Sequence, residues 1–219
     1  MQTYPKTLLS LTIVVTALFG ASAIAQTAPA APALPSAAAT LTAPSVPTTD
    51  VSGVKFDNTL DLRGSKLQLN GAGVRYKAVF KVYAAGLYLG KKSSTPEEVL
   101  SQTSNRRIQV VMLRDIDAGE LGKLFSRGVE DNMPKSDFSR VVPALLRMSQ
   151  MFSDYKQLKT GDVFTIDWVN GAGTIISIKG KPYGEPFKEP EFFNALLSIW
   201  LGKQPADWKL KDAMLGNKS

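Results

Sequence analysis

The 219-residue chain contains no cysteine and no histidine. Without cysteine there is no disulfide, no thiolate nucleophile and no iron–sulfur cluster. Without either residue the usual zinc sites cannot be built, and Ser-His-Asp and Cys-His triads are excluded. No Asp-rich loop has the spacing of a calcium or magnesium site, so neither a metal nor any other cofactor is implied. Long apolar runs are also scarce. The one candidate, Leu8 to Gly20, falls short of the roughly 20 apolar residues that span a bilayer. Charge is present in both signs, 26 Lys and Arg against 19 Asp and Glu, for a net +7. The positive balance permits an anionic partner without naming one. Because the basic residues are spread along the chain and not interleaved with aromatics, nucleic acid is not expected among the partners.

The N-terminus has the organisation of an export signal: Lys6, then the short apolar run, then Ala23-Ile24-Ala25 as a small-x-small cleavage site. Residues 1–25 are expected to be a signal peptide cut before Gln26, the alternative being an uncleaved anchor. No cysteine follows, so a lipoprotein anchor is excluded. The expected address is the periplasm, with no stable membrane insertion after cleavage. Residues 26–50 are almost all Ala, Pro, Thr and Ser, with no charge before Asp50. Such a segment cannot bury enough apolar surface to offset its ordering entropy and reads as a disordered linker. Residues 51–219 are then one domain of ordinary size.

Within the domain, alternating segments read as strands: Lys66 to Asn70, then Val74 to Tyr83 extending toward Gly90, and Arg107 to Leu113. Asn70-Gly71 reads as a turn, and Asn170-Gly171-Ala172-Gly173 as a hairpin joining Val163–Val169 to Thr174–Lys179. Thr95-Pro96-Glu97-Glu98 is a helix start. Asp117 caps a helix with a stripe of Leu121, Leu124, Phe125 and Val129. A second stripe uses Phe138, Val141, Leu145, Met148 and Phe152, with Pro143 kinking it or sitting in its first turn. The closing helix carries Phe193, Leu196, Leu197, Trp200 and Leu201 and stops at Gly202. The class is α+β: a large, mostly antiparallel sheet covered on one face by a helical layer. Trp200 is expected in the core and not at a membrane.

Two stretches resemble the chalcone isomerase superfamily. One is Gly71-Ala72-Gly73-Val74-Arg75 followed by Phe80 to Tyr88, similar to a GxGxR element and a strand ending in a Gly-apolar-Tyr step. The other is Leu113-Arg114-Asp115-Ile116 leading to Asn132. The tail Ile199 to Pro205 is similar to the bacterial, exported branch of that superfamily. The resemblance implies an open-faced β-sandwich with a ligand cleft between sheet and helices. It also implies that Arg75 stands where the plant enzymes hold a phenolate and the related fatty-acid-binding proteins hold a carboxylate. A guanidinium suits either task, since its planar fork grips an oxyanion and stays charged when partly buried. The enzymes' threonine falls on Tyr83 and their tyrosine on Phe125, so the resemblance gives ring-closing chemistry less support than anion binding.

Arg75, Tyr83 and Asn132 are thus the candidate ligand contacts, with Arg75 as the catalytic residue if the protein is an enzyme. Each has a plainer reading. Arg75, Lys77 and Lys81 also fit a solvated strand face, Asn132 a helix terminator, and Arg114-Asp115 an ion pair. With the residues read as one strand, parity puts Arg75 and Tyr83 on one face but far apart, so a bulge or bend is required to join them. Three functions follow: a binder of a small amphipathic carboxylate or phenolic ligand, an isomerase or lyase on an enone with Arg75 stabilising the oxyanion, or an envelope interaction module with a vestigial cleft.

Overall fold

The computed structural model describes residues 46–217. The expected signal peptide and most of the expected linker lie outside the described residues. The fold opens earlier than the composition indicates. Strand β1 (Thr48–Val51) pairs antiparallel with β2 (Val54–Asp57), so residues 48–50, assigned by composition to the linker, are part of the domain. The Asp50 carboxylate accepts the Gly53 amide, closing the turn between them. Linker-like composition cannot reveal this, because the pairing is made by the residues that follow.

The main sheet begins with β3 (Thr59–Leu62), β4 (Ser65–Lys77) and β5 (Phe80–Leu89), continues through α1 (Pro96–Ser101) to β6 (Arg106–Met112), and then leaves the sheet. A short β7 (Ile116–Asp117) leads to α2 (Ala118–Glu130) and α3 (Lys135–Asp154), after which β8 (Gln157–Leu158) pairs back onto β7. The chain re-enters the sheet as β9 (Val163–Val169), β10 (Gly173–Ile178) and β11 (Lys181–Pro182), and ends with α4 (Pro190–Leu201) and α5 (Trp208–Met214). The seven strands lie in the order β11-β10-β9-β6-β5-β4-β3, each pair antiparallel. None of the described helices is long and apolar enough to cross a membrane.

Period-two alternation divides the sheet's two faces. Leu87, Ile108, Val110, Phe164, Ile166 and Ile176 point toward the helices, where they meet Leu121, Phe125, Val129, Leu145, Met148, Phe152, Leu196 and Trp200. The opposite face carries a smaller cluster of Leu67, Leu69, Ala84, Tyr88 and Val111 closed by Phe56 from the β1–β2 hairpin. Arg107 and Asp167 stand opposite each other on β6 and β9 and form a two-pronged ion pair, both bonds 2.7 Å. This is the arrangement of an open-faced sandwich with one helical layer.

Local chemistry sets the helix starts. Thr95 accepts the Glu98 amide, Asp117 the Glu120 amide at 2.7 Å, and Asp207 the Leu210 amide, each removing an orphan donor from a first turn. Pro143 lies inside α3, past its first turn.

Two strand readings change. Asn70-Gly71 is not a turn: β4 runs straight through it, with only a shift of register between Leu69 and Gly71. The Asn70 side chain is buried, donating to the Ser93 and Met214 carbonyls and accepting the Ser93 amide. The turn lies instead at Ala78-Val79, where Ala78 takes φ +54° and Lys77 faces Phe80. The segment from Val74 to Tyr83 is therefore two strands, although its alternation reads as one.

Candidate functional site

The hairpin turn brings Arg75 and Tyr83 together. They sit directly opposite each other on β4 and β5, and directly opposed residues share a face. Val82 is the extra residue of a bulge beside them, since Arg75 pairs with Tyr83 but Tyr76 pairs with Lys81. Tyr83 belongs to the core beneath the helices, so Arg75 lies on the helix-covered side, half-buried. Its guanidinium carbon is 5.6 Å from the centre of the Tyr83 ring, within the range of a cation–π contact.

Arg75 is not spent on the protein. Its Nε is buried and has no hydrogen-bond partner among the described residues, and it forms no ion pair there. It lines a cavity of about 200 Å³ between the β4–β5 hairpin and the start of α2, together with Lys77, Val82, Arg114, Ile116 and Leu124 and the carboxylates of Asp115, Asp117 and Glu120. Asp117 is occupied as the cap of α2. Asp115 accepts from the Thr160 amide and hydroxyl and forms no ion pair with Arg114. Arg114 instead lies 5.3 Å from the Phe80 ring centre. Sequence reasoning missed Arg114 and Lys77 as cavity residues, because their approach depends on the hairpin.

Tyr83 is fully buried, and its hydroxyl accepts the Trp200 indole N–H at 3.0 Å. It does not line the cavity; it is the platform behind Arg75. Burial pushes its pKa up to about 12, against the opposing pull of Arg75 and the Trp200 hydrogen bond. The folded protein holds this proton above the ordinary tyrosine value near 10, whereas the unfolded chain releases it there. Stability is therefore expected to be intact below about pH 10 and to fall as pH rises from there toward 12. Tyr88, also pushed up to about 12 by burial and then by Asp57, acts in the same direction. Denaturant melts of wild type and Tyr83→Phe between neutral pH and pH 11 check this. The variant should start less stable by about 1–2 kcal/mol, with the Trp200 donor orphaned, but lose less on going alkaline. An equal alkaline loss in both would remove Tyr83 as its source.

Asn132 lies elsewhere. Its amide donates to the Gly128 carbonyl at 2.8 Å and the Gln204 carbonyl at 2.9 Å and accepts the Gln204 amide at 2.7 Å. It fastens the end of α2 to the segment after α4, as a helix terminator would, and it also lines a separate cavity of about 390 Å³ with Leu100, Met133, Arg140 and Ser198. Gly202 has no side chain because a Cβ there would collide with the Asn132 carboxamide.

The space between sheet and helices, where the resemblance implies a cleft, holds aromatic rings. Phe125 packs edge-on to Phe152 and Trp200, with centroids 5.7 and 5.4 Å away, and tilted against Phe164 at 5.6 Å. All four are essentially buried. No hydroxyl stands at Phe125 to order a water. A second buried arginine, Arg106, donates to the Val99 carbonyl and lies over the Phe193 ring, and its Nε is also unpartnered. Burial lowers its pKa to about 10, and it does not line the Arg75 cavity.

Residues 48–216 match the family model described as chalcone isomerase-like. Among solved structures, a fatty-acid-binding protein of Arabidopsis thaliana superposes with a TM-score of 0.58 at 18% identity, covering 74% of this chain and 92% of that one. No curated protein matches the chain.

Proposed function

The chain belongs to the chalcone isomerase-like family, and on that premise we propose that it binds a small amphipathic anion, a carboxylate by preference, with the head group on Arg75. The observation that carries this reading is the buried, unpartnered Nε of Arg75 at the wall of a cavity. A buried donor left without an acceptor costs about 1–3 kcal/mol, and an anion that draws the Arg75 guanidinium toward it, so that Nε gains an acceptor, removes that cost. Val82, Ile116 and Leu124 supply the apolar lining for the first carbons of a tail. The cavity, about 200 Å³, is below the roughly 300–1,000 Å³ of sites that enclose drug-sized ligands. Short chains should therefore fit better than long ones, whose tails must leave through the cavity mouth. The Arabidopsis relative is named for fatty acids, which agrees with a carboxylate head group.

Titration with a fluorescent carboxylate, and its displacement by acids of increasing chain length, tests the reading. Arg75→Leu should weaken binding by about one to two decades, the worth of a charge-assisted contact. Arg75→Lys should restore only part, since an ammonium lacks the planar fork. Asn132→Ala, remote from the cavity, should lower stability and leave affinity unchanged. Equal affinities for wild type and both Arg75 variants would return Arg75 to a structural role.

The family's exported, bacterial branch and a periplasmic address belong to the same proposal. They are supported by the apolar run and the Ala23-Ile24-Ala25 site. Intact mass of the protein recovered from the periplasm should correspond to a chain starting at Gln26, and a mass that retains residues 1–25 would overturn it.

A further inference from the structure

We propose that the tip of the β4–β5 hairpin is a docking surface for an anionic lipid bilayer. Three large apolar side chains are exposed within five consecutive residues: Tyr76 at 41%, Val79 at 82% and Phe80 at 59%. The turn holds them there, with Ala78 in the left-handed region at the apex and Lys77 paired to Phe80 across it. Lys77 and Lys81 flank the apolar tip, and both are exposed.

The charge around the tip is of one sign along the chain. From Leu62 to Pro96 there are seven Lys and Arg and no Asp or Glu. The carboxylates that approach from other elements are engaged: Asp207 accepts the Tyr76 and Leu210 amides, Asp117 caps α2, and Asp115 accepts from Thr160. Glu120 remains at the cavity wall. Arg114 stacks on Phe80 and adds a positive charge at its flank.

Apolar side chains at a hairpin tip, with a lysine paired across from one on each face (Lys81 opposite Tyr76, Lys77 opposite Phe80), suit a lipid interface better than a protein partner. A stable protein interface buries about 800 Å² on each side, which a hairpin tip with three side chains does not supply. Interfacial binding needs only a few apolar groups at the headgroup–acyl boundary together with basic residues facing anionic lipid. The same hairpin contributes Arg75 and Lys77 to the cavity wall, so docking would set the cavity beside the membrane surface. The proposal does not depend on what the cavity binds.

Co-sedimentation with vesicles of about one part phosphatidylglycerol to two parts phosphatidylcholine, and with phosphatidylcholine alone, tests it on the full chain, with variants identical outside the tip. Wild type should bind the anionic vesicles, bind the neutral ones weakly, and be released as salt rises. Lys77→Gln with Lys81→Gln should weaken binding about twenty-five-fold, since each lysine near an anionic surface contributes about fivefold. Val79→Ser with Phe80→Ser should weaken it about tenfold or more. The lysine pair keeps the test decisive if the apolar pair disturbs the turn. Variants that bind as wild type does, or equal binding to both vesicle types, would overturn the proposal. So would tip-dependent self-association without lipid, which would assign the patch to a second copy of the chain.

Discussion

Gly71→Ala is expected to lift α5 off the sheet and to cost about 3–5 kcal/mol. A Cβ at Gly71 would overlap the Ala213 carbonyl oxygen, and one at Gly73 would press on the Ala213 methyl and Leu210. Neither glycine has a positive φ, so the backbone itself would accept alanine and the whole obstruction is the helix lying against the strand. To relieve the overlap α5 must retreat, uncovering Leu210 and Met214, which are 1% and 0% exposed, and breaking the bond from Asn70 to the Met214 carbonyl. Each fully buried side chain of that size is worth about 1.5–3 kcal/mol. The melting temperature should fall by about 10 °C, and hydrogen exchange should show α5 amides losing protection ahead of the sheet. A melting temperature within a degree or two of wild type would mean that the GxG element does not serve as the seat of α5.

Phe125→Ala should cost about as much, 3–5 kcal/mol by the general behaviour of buried phenylalanine, because three rings lose a neighbour at once. It has a second expected consequence. The removed ring leaves apolar space in the core beneath α2, the helix that also carries Leu124 of the Arg75 cavity wall, and apolar cavities in protein cores take up apolar ligands. Affinity for long-chain carboxylates should therefore rise relative to short-chain ones, even as stability drops. Calorimetric unfolding and the chain-length series on the same variant separate the two effects. Large destabilisation with an unchanged chain-length ranking would show that the aromatic cluster does not restrict the ligand.

The residues that carry the site were partly legible. Arg75 is visible only through the resemblance of Gly71–Arg75 to the GxGxR element, since alternation alone fits a solvated face with Lys77 and Lys81, and the structure places it at a cavity wall. Its relation to Tyr83 was not legible. Alternation in Val74–Tyr83 is equally consistent with one long strand and with two strands folded back across Ala78-Val79, since an alanine in left-handed backbone leaves no trace in composition. Asn132 was visible as a residue of interest but not for what it does: the Gln204 backbone it binds is 72 positions away. α5 was missed altogether, because seven residues carrying an exposed Trp208 give too short a period to recognise.

What the sequence determined by itself is what neighbouring residues decide between them. The caps at Thr95 and Asp117, the β9–β10 hairpin with its two glycines at positive φ, and the apolar faces of α2 and α4 all appear as read. In each case a hydrogen bond across three residues, a permitted φ or a 3.6-residue period carries the decision. The tertiary structure alone decided whether a glycine makes a turn or a seat. Asn70-Gly71 and Asn170-Gly171 have the same dipeptide, yet one lies in mid-strand under a helix and the other turns a hairpin. The difference is α5, more than 130 residues from Asn70, whose carbonyl occupies the space a side chain would fill. The same physics decided that the sheet–helix interface is filled by rings and that the cavity lined by Arg75 lies at its edge.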